Sequence, residues 1–282
     1  MPFAELPGCR LFYTFDGAGP PLLFVHGGAC THRDWDAQVK PLAEHFTVVR
    51  IDARGHGASL VDDATTCTID EVAADINRLL DLLQVGPAVL IGHSTGCRRV
   101  LQAAVDRPDQ TAGVILVDGS RVWSGDLAEV RQQQDVAFAD ARAQYRTIFE
   151  SPSFFRHADS ATRERIRASM EATDEAVLRA SAFSTGPWDA TRLEDVVRAL
   201  RPPLLAIQST YWSQMEARRG LLPSDISTPW IDLLRTLKPE TRSVLLTDVG
   251  HFSMIEAADQ VTAAIHAFAT EAHSSSIRDA SE

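Results

Sequence analysis

Short apolar runs alternate with helix-like segments up to residue 118, and this alternation constrains the fold more than any other feature of the chain. The runs are rich in Val, Ile and Leu and apolar on both faces; they cover residues 22–26, 46–52, 88–92 and 113–118. Strands with this pattern are typical of a parallel sheet that is buried between two layers of helices. The alternation therefore predicts an α/β fold with a mostly parallel, doubly wound sheet.

The segments between these runs carry helix signals. Thr68 and Glu71 form a capping box, and the apolar residues that follow recur at helical spacing. Another helix is predicted directly after Ser94, and Pro108 ends it.

The pattern changes between residues 120 and 188, where strand-like runs are absent and Ala, Arg, Glu and Gln dominate. We expect this segment to be a helical cap inserted into the sheet domain. Strand-like runs return at 203–209 and 243–249. The predicted organisation is a core formed by residues 1–119 and 189–282, interrupted by the cap.

The last predicted helix covers residues 258–270, with Val261, Ile265 and Phe268 on one face. The tail from about His273 onward is rich in serine, and we expect it to be loose.

Composition excludes several classes of protein. The 282-residue chain has a net charge of −11, and such an acidic surface repels phosphate, which argues against binding to nucleic acid or to a membrane through basic residues. No apolar run approaches the roughly 20 residues that span a bilayer. We therefore expect a small-molecule partner, while the oligomeric state stays open.

The four cysteines are scattered, without a C-x-x-C pair; they are Cys9, Cys30, Cys67 and Cys97. The first residues show no basic cluster followed by an apolar stretch, as a secretory signal would. We expect free thiols in a cytoplasmic protein, with two disulfides as the weaker alternative.

A serine lies on a predicted strand-to-helix turn, in the sequence Gly92-His-Ser-Thr-Gly96. Glycines on both sides of Ser94 allow a turn too tight for side chains, and the strained turn exposes the serine oxygen above the sheet edge. The amide of Thr95 begins a helix, where unpaired N–H groups favour a negative oxygen. Because a buried strand precedes the motif, we interpret it as a nucleophile site rather than as a surface turn.

Four segments together resemble the α/β-hydrolase family. They are His26-Gly27-Gly28, Asp52-Ala-Arg-Gly-His-Gly57, Gly92-x-Ser94-x-Gly96 and Gly250-His251-Phe252, in the order and at the spacing of that family. The resemblance covers residues 10 to 270 and implies an α/β-hydrolase fold with a helical cap.

The resemblance implies roles for four residues. Ser94 would be the nucleophile and His251 the general base, and the backbone N–H groups of Gly28 and Thr95 would form the oxyanion hole. The chemistry agrees, because a serine hydroxyl at neutral pH needs an imidazole partner to become a nucleophile.

The acid that orients His251 is less well marked. Most family members place it after the strand that follows the cap, but no Asp or Glu stands there in this chain. The strand before the cap does end in Asp118, as in some members of the family. Asp118 is therefore the predicted acid, with Asp225 and Glu216 as alternatives and a turn-capping role for Asp118 also open.

Many aromatic residues fall in loops or cap helices and predict an apolar pocket, with Trp35 and Trp123 as its wall. His93 is expected to face away from the nucleophile.

No histidine pair has metal-ligand spacing and no glycine-rich phosphate loop is present, so we expect neither a metal nor a nucleotide cofactor.

The favoured function is a serine hydrolase that cleaves a small, largely apolar carboxylic ester, thioester or lactone through an acyl-enzyme. The alternatives are a cofactor-independent dioxygenase, whose family relatives also take their acid from the strand before the cap, and a carbon–carbon bond hydrolase. A non-catalytic receptor is disfavoured because Ser94 and His251 are both present. Ser94 also argues against epoxide hydrolases and haloalkane dehalogenases, which resemble this fold but need a carboxylate at that position.

Overall fold

A nine-stranded sheet runs through the computed structural model, which describes residues 2–212 and 218–279. The strands of the sheet lie in the order β1-β2-β4-β3-β6-β7-β8-β11, and β5 pairs with β2 at its side. Their bounds are β1 Phe3–Leu6, β2 Cys9–Asp16, β3 Pro21–Val25, β4 Thr47–Ile51, β5 Leu60–Val61, β6 Ala88–His93, β7 Thr111–Val117, β8 Leu204–Gln208 and β11 Arg242–Leu245. A short hairpin of β9 (Thr210–Tyr211) and β10 (Arg219–Gly220) follows β8.

The six strands predicted from apolar runs pair in parallel, namely β3, β4, β6, β7, β8 and β11. The predicted fold class is therefore confirmed. The antiparallel strands β1, β2 and β5 were not expected from the sequence. They lie at one edge of the sheet, where β2 is only partly buried, so they lack the continuous apolar pattern.

Helices cover both faces of the sheet, as a doubly wound fold requires. One face packs against α1 (Asp36–Ala43), α10 (Ser253–Glu256) and α11 (Ala258–Asp279). The opposite face packs against α2 (Ile69–Leu83), α3 (Gly96–Asp106), α8 (Leu193–Ala199) and α9 (Pro229–Leu237). Within the described ranges, no helix combines the length and apolar character needed to cross a membrane.

Four helices lie between β7 and α8, in the part of the chain where the helical cap is predicted. They are α4 (Leu127–Ala137), α5 (Ala141–Phe149), α6 (Ser160–Ala172) and α7 (Glu175–Thr191). Each begins after an aspartate whose side chain accepts a hydrogen bond from a backbone amide of the first turn: Asp126, Asp140, Asp159 and Asp174. Aspartate is among the preferred N-cap residues, so the sequence itself sets where these helices start.

The expectation of a loose tail is wrong up to Asp279, because helix α11 continues to that residue. The reason is tertiary packing that serine-rich composition does not show. Ala272 is buried, and the ring of His273 lies 3.2 Å from the carbonyl oxygen of Pro21 at the start of β3.

A buried ion pair joins the cap to the core. The Arg98 guanidinium, in the first turn of α3, donates two hydrogen bonds of 2.7 Å to the carboxylate of Asp189 on α7. The same carboxylate accepts the amides of Val122 and Trp123, in the segment that leaves β7. Asp189 therefore fixes the cap, the helix that follows Ser94 and the start of the cap segment relative to one another.

We predict that Asp189→Asn lowers the free energy of unfolding by about 3–5 kcal/mol, because it leaves the Arg98 charge buried without its counter-charge. Urea denaturation followed by circular dichroism measures this. Asp195→Asn is the matched control, since its carboxylate is exposed and pairs only with Arg198 on the same helix; it should change stability by less than about 0.5 kcal/mol. Equal effects of the two substitutions would contradict the assigned role of Asp189.

Candidate active site

Ser94 stands on a sharp turn between β6 and α3. Its φ of 51° lies in the left-handed region, which is unusual for a residue with a side chain. A Cβ on Gly92 would lie 2.4 Å from the carbonyl oxygen of Gly96, and a Cβ on Gly96 would lie 2.6 Å from that of Val25. The two glycines are therefore required for the strand and the helix to approach this closely, and the turn holds Ser94 at the carboxyl end of the parallel strands.

The two residues predicted for the oxyanion hole lie side by side. A Cβ on Gly28 would be 3.4 Å from Oγ1 of Thr95, so the loop after β3 runs directly past the start of α3. Within the described ranges, neither the Gly28 amide nor the Thr95 amide donates a hydrogen bond to another protein group. Both amides are thus available to a ligand oxygen, in the position where a helix N-terminus favours negative charge.

A cavity of about 320 Å³ lies between the cap and the carboxyl end of the sheet. Ser94, His251, Gly28 and Thr95 line it together. Its walls are mostly apolar and come largely from the cap; they include Trp123, Phe138, Tyr145, Ile148, Phe149 and Phe154. A volume of this size suits a small organic molecule.

Of the two tryptophans predicted to form the wall, Trp123 lines the cavity and Trp35 does not. Trp35 is fully buried in the core, where its ring packs 5.1 Å from that of Phe24 and edge-on to that of His93. The prediction for Trp35 is corrected for this reason: an aromatic residue in a loop can belong to the core beneath a site as readily as to its surface.

His251 lies after β11, and its backbone is hydrogen bonded to the cap. Its amide donates bifurcated hydrogen bonds of 3.0 Å to the carbonyl oxygens of Ser153 and Phe154. Nε2 of His93 donates to the His251 carbonyl at 2.9 Å, and the two imidazole rings are 4.8 Å apart. His93 thus also lines the cavity and supports the backbone of His251 through a hydrogen bond.

The ring of His251 is neutral. Burial lowers the pKa of His251 well below its ordinary value, and the positive charge of Arg218 and the neighbouring His93 lower it further. Its Nε2 is buried and has no hydrogen-bond partner among the described residues. Likewise, within the described ranges no hydrogen bond joins Ser94 Oγ to His251. Hydrogen bonds between catalytic groups are often long in unliganded sites and shorten when substrate binds.

Asp118 follows β7 in a left-handed conformation, with φ of 50°, and is completely buried. Its Oδ1 accepts the amide of Ser209 at 2.7 Å and lies 2.6 Å from the Ser209 hydroxyl. Its Oδ2 is buried without a partner among the described residues. Burial raises the pKa of Asp118 above its ordinary value. A carboxylate oxygen of Asp118 and a ring nitrogen of His251 lie within 4.8 Å of each other.

The Nδ1 atom of His251 is occupied by a residue that the sequence analysis missed. Nη1 of Arg218 donates to it at 3.0 Å, and Oγ1 of Thr210 lies 3.2 Å away. A guanidinium has only donors, so Nδ1 must be the acceptor and the neutral ring carries its proton on Nε2. This is the opposite tautomer from the one in which Nε2 can accept a proton from serine.

Of the two alternative acids, only Asp225 falls within the described residues, and it does not lie at the site. Asp225 accepts the amide of Leu222 at 2.8 Å and does not line the cavity. Glu216 lies outside the described residues. Asp118 is thus the predicted acid that the described residues show close to His251.

His93, Asp118 and His251 could in principle offer ligand atoms to a metal ion, since one atom from each lies within 4.8 Å of the others. His93 already donates Nε2 to a backbone carbonyl, and the guanidinium of Arg218 contacts His251. A fixed positive charge at this distance disfavours a second cation, so the cluster suits proton transfer better than metal binding.

Comparisons with known proteins agree with this architecture. A family model described as the alpha/beta hydrolase family matches residues 22–264. The chain belongs to the α/β hydrolase family. The resemblance seen in the sequence motifs is therefore confirmed, over nearly all of the chain.

Curated relatives in this family match over part of their length. The chain is 33% identical to a dihydrolipoyllysine-residue acetyltransferase component of an acetoin cleaving system from Cupriavidus necator. The match extends over 149 residues, which are 52% of this chain and 39% of the relative. The chain is 35% identical over 102 residues to a 2-(acetamidomethylene)succinate hydrolase from Mesorhizobium japonicum, 36% of each chain. The chain thus spans less than two fifths of the length of these relatives.

A solved structure matches nearly end to end. A thermophilic esterase from Thermogutta terrifontis, determined with malate bound, superimposes with a TM-score of 0.77 at 26% identity, over 96% of this chain and 97% of that one. The core and the cap of the present structure together therefore have the arrangement of a known esterase.

We predict that ¹⁵N spectra of histidine-labelled, unliganded protein show His251 as the Nε2–H tautomer, because Arg218 donates to Nδ1. Arg218→Met should convert it to the Nδ1–H tautomer, since the oxygen acceptors Asp118 and Thr210 then remain beside Nδ1. The His251→Gln spectrum assigns the signal. Arg219→Met, whose side chain contacts Tyr211 and Asp225 instead of the site, is the control. An Nδ1–H tautomer in the unsubstituted protein would refute the assigned contact.

Proposed function

We propose that this protein is a serine hydrolase that cleaves a small carboxylic ester, thioester or lactone through an acyl-enzyme. The observation that carries the proposal is the position of Ser94. It stands on a strained strand-to-helix turn, in one cavity with an unpartnered imidazole nitrogen and two free backbone amides. This set supplies the nucleophile, the base and the oxyanion donors of acyl transfer.

In the proposed reaction, Oγ of Ser94 attacks the substrate carbonyl and its proton passes to Nε2 of His251. The amides of Gly28 and Thr95 receive the negative charge that develops on the carbonyl oxygen; one such donor is typically worth about 100- to 1000-fold in rate. His251 then gives the proton to the departing alkoxide, thiolate or ring oxygen. Water, activated by the same ring, releases the acyl group and restores Ser94.

Asp118 is the proposed acid of the triad. For Nε2 to act as a base, the ring proton must move to Nδ1, and Nδ1 must find an acceptor in place of the Arg218 donor. Oδ2 of Asp118 is buried and unpartnered, and the two residues are already within 4.8 Å. Movement of Arg218 away from Nδ1, with adjustment of the ring, would then let Ser94, His251 and Asp118 act as a triad.

The walls of the cavity and the relatives support an ester-type substrate. The apolar cap residues would hold a small, largely apolar body. The Thermogutta terrifontis structure is an esterase, and the Mesorhizobium japonicum relative is a hydrolase. Serine at position 94 supplies a hydroxyl nucleophile, which suits acyl transfer and not the alkyl-ester chemistry of an elbow carboxylate.

We predict that Ser94→Ala lowers hydrolysis of 4-nitrophenyl esters by at least about 1000-fold in kcat, because it removes the hydroxyl that forms the proposed acyl-enzyme. A fluorophosphonate probe, followed by peptide mapping, should label the unsubstituted protein at Ser94. Thr147→Ala is the matched control, since that hydroxyl is exposed on α5 and bonds only within its helix. Retained turnover in Ser94→Ala, above all on quinolone-type substrates, would contradict the proposal and favour the dioxygenase alternative.

We predict that Asp118→Asn lowers kcat on the same esters by roughly 10³- to 10⁴-fold, because an amide cannot stabilise the imidazolium or hold the required tautomer. The substitution keeps the side-chain volume and the oxygen that accepts from Ser209. Thermal unfolding checks that the variant remains folded. Asp225→Asn should keep full activity; a large loss there, with little loss in Asp118→Asn, would move the role of the acid to Asp225.

A further inference from the structure

The guanidinium of Arg218 is the charged group of the cavity that the proposed triad does not use. Within the described ranges its hydrogen bonds go to uncharged acceptors, namely Nδ1 of His251 at 3.0 Å, Oγ1 of Thr210 at 3.1 Å and Oγ of Ser120 at 3.3 Å. Its Nε is buried without a partner among the described residues. The side chain lines the cavity beside Ser94.

Among the described residues, no carboxylate contacts the positive charge of Arg218. Across residues 2–212 and 218–279, no Asp or Glu oxygen lies within 4.0 Å of its nitrogens, and none of the residues that line the cavity is acidic. The other arginine of the lining, Arg98, is neutralised by Asp189. Asp118 influences Arg218 through space but is hydrogen bonded to Ser209 and does not line the cavity.

Arg218 remains a cation despite its surroundings. Burial lowers the pKa of Arg218 to about 10, which is still well above neutral pH. A partly buried cation without a carboxylate in contact costs free energy, part of which an incoming anion would recover. A planar guanidinium matches a carboxylate particularly well, because it can donate two parallel hydrogen bonds.

We propose that the natural substrate carries a carboxylate, which Arg218 binds in exchange for its contact with His251. This inference rests on the proposed hydrolase function and narrows it to esters, thioesters or lactones that are anionic at neutral pH. The body of the substrate would pack against the aromatic walls, while the carboxylate lies at the otherwise cationic end of the cavity. Given a cavity of about 320 Å³, the substrate is small.

The exchange has a consequence for catalysis. When Arg218 turns toward the substrate carboxylate, it stops donating to Nδ1, and Oδ2 of Asp118 becomes the acceptor for that atom. The ring can then carry its proton on Nδ1 and offer a free Nε2 to Ser94. An anionic substrate would thus both bind Arg218 and favour the complete triad, whereas a neutral ester would reach the complete triad less readily because Arg218 must leave Nδ1 without a new anionic partner.

The first test compares two esters that differ in the methylation of one carboxyl group, and thereby in charge: mono-4-nitrophenyl succinate and 4-nitrophenyl methyl succinate, with rates corrected for spontaneous hydrolysis. We expect the unsubstituted protein to have a kcat/KM at least about tenfold higher for the anionic ester, the size of effect typical of a hydrogen bond to a charged group. Arg218→Gln should remove this preference, and Arg218→Lys should restore part of it. Arg219→Gln, at the neighbouring position outside the cavity, should keep it.

A second test does not depend on turnover. Histidine ¹⁵N spectra of Ser94→Ala protein are recorded with monomethyl succinate and with dimethyl succinate. We expect the anionic ligand to convert His251 from the Nε2–H to the Nδ1–H tautomer, and the neutral ligand to leave it unchanged. Arg218→Gln in the same background should show equal spectra with both ligands.

The two tests separate the inference from the function on which it rests. Hydrolysis of the neutral ester at an equal or higher kcat/KM would overturn the inference and leave the hydrolase function intact. Failure to hydrolyse either ester would count against the proposed function. The spectra would then still show whether Arg218 binds a carboxylate. Equal responses of His251 to both ligands, or none to either, would overturn carboxylate binding by Arg218.

Discussion

The close approach of β6 and α3 is the constraint on which the site depends. The backbone turns within a few residues, and there is no room for a Cβ at Gly92 or Gly96. This turn strains the backbone at Ser94, and the buried strands around it hold it in place. As a result, the Ser94 hydroxyl projects above the sheet at the N-terminal end of a helix, next to the loop of Gly28.

Around this turn, the carboxyl ends of the parallel strands bring together residues that are far apart in the chain. Asp118 follows β7 and His251 follows β11, while Arg218 comes from the hairpin after β8. The polar atoms are not all paired: Nε2 of His251, Oδ2 of Asp118 and Nε of Arg218 are buried and unsatisfied among the described residues. Buried unpaired groups of this kind lower the stability of the fold, so their concentration in and beside one cavity points to a role that a ligand completes.

Local patterns allowed the strands and the nucleophile turn to be predicted, because both depend on neighbouring residues. Apolar runs mark β3, β6 and β7, and the glycines around Ser94 mark the turn.

What escaped prediction depends on contacts between distant parts of the chain. Trp35 belongs to the core because Phe24 and His93 surround it, and α11 extends beyond Thr270 because His273 reaches the start of β3. Arg218 offered only a weak signal, a basic residue in a long loop after a strand. Its contact with an imidazole 33 positions away could not be derived from sequence alone.

The hydrogen bonds of Asp189 determine which substitutions can change substrate specificity without destabilising the protein. One carboxylate anchors α7, the first turn after the nucleophile and the backbone of Trp123, so these parts form a single mechanical unit. Widening the cavity by lifting the whole cap would break that unit and disturb the reactive turn with it. Shortening the side chain of Phe138, at the end of α4, or of Phe149, on α5, would enlarge the cavity while leaving the Asp189 contacts intact. Engineering for bulkier substrates should therefore begin with those two phenylalanines.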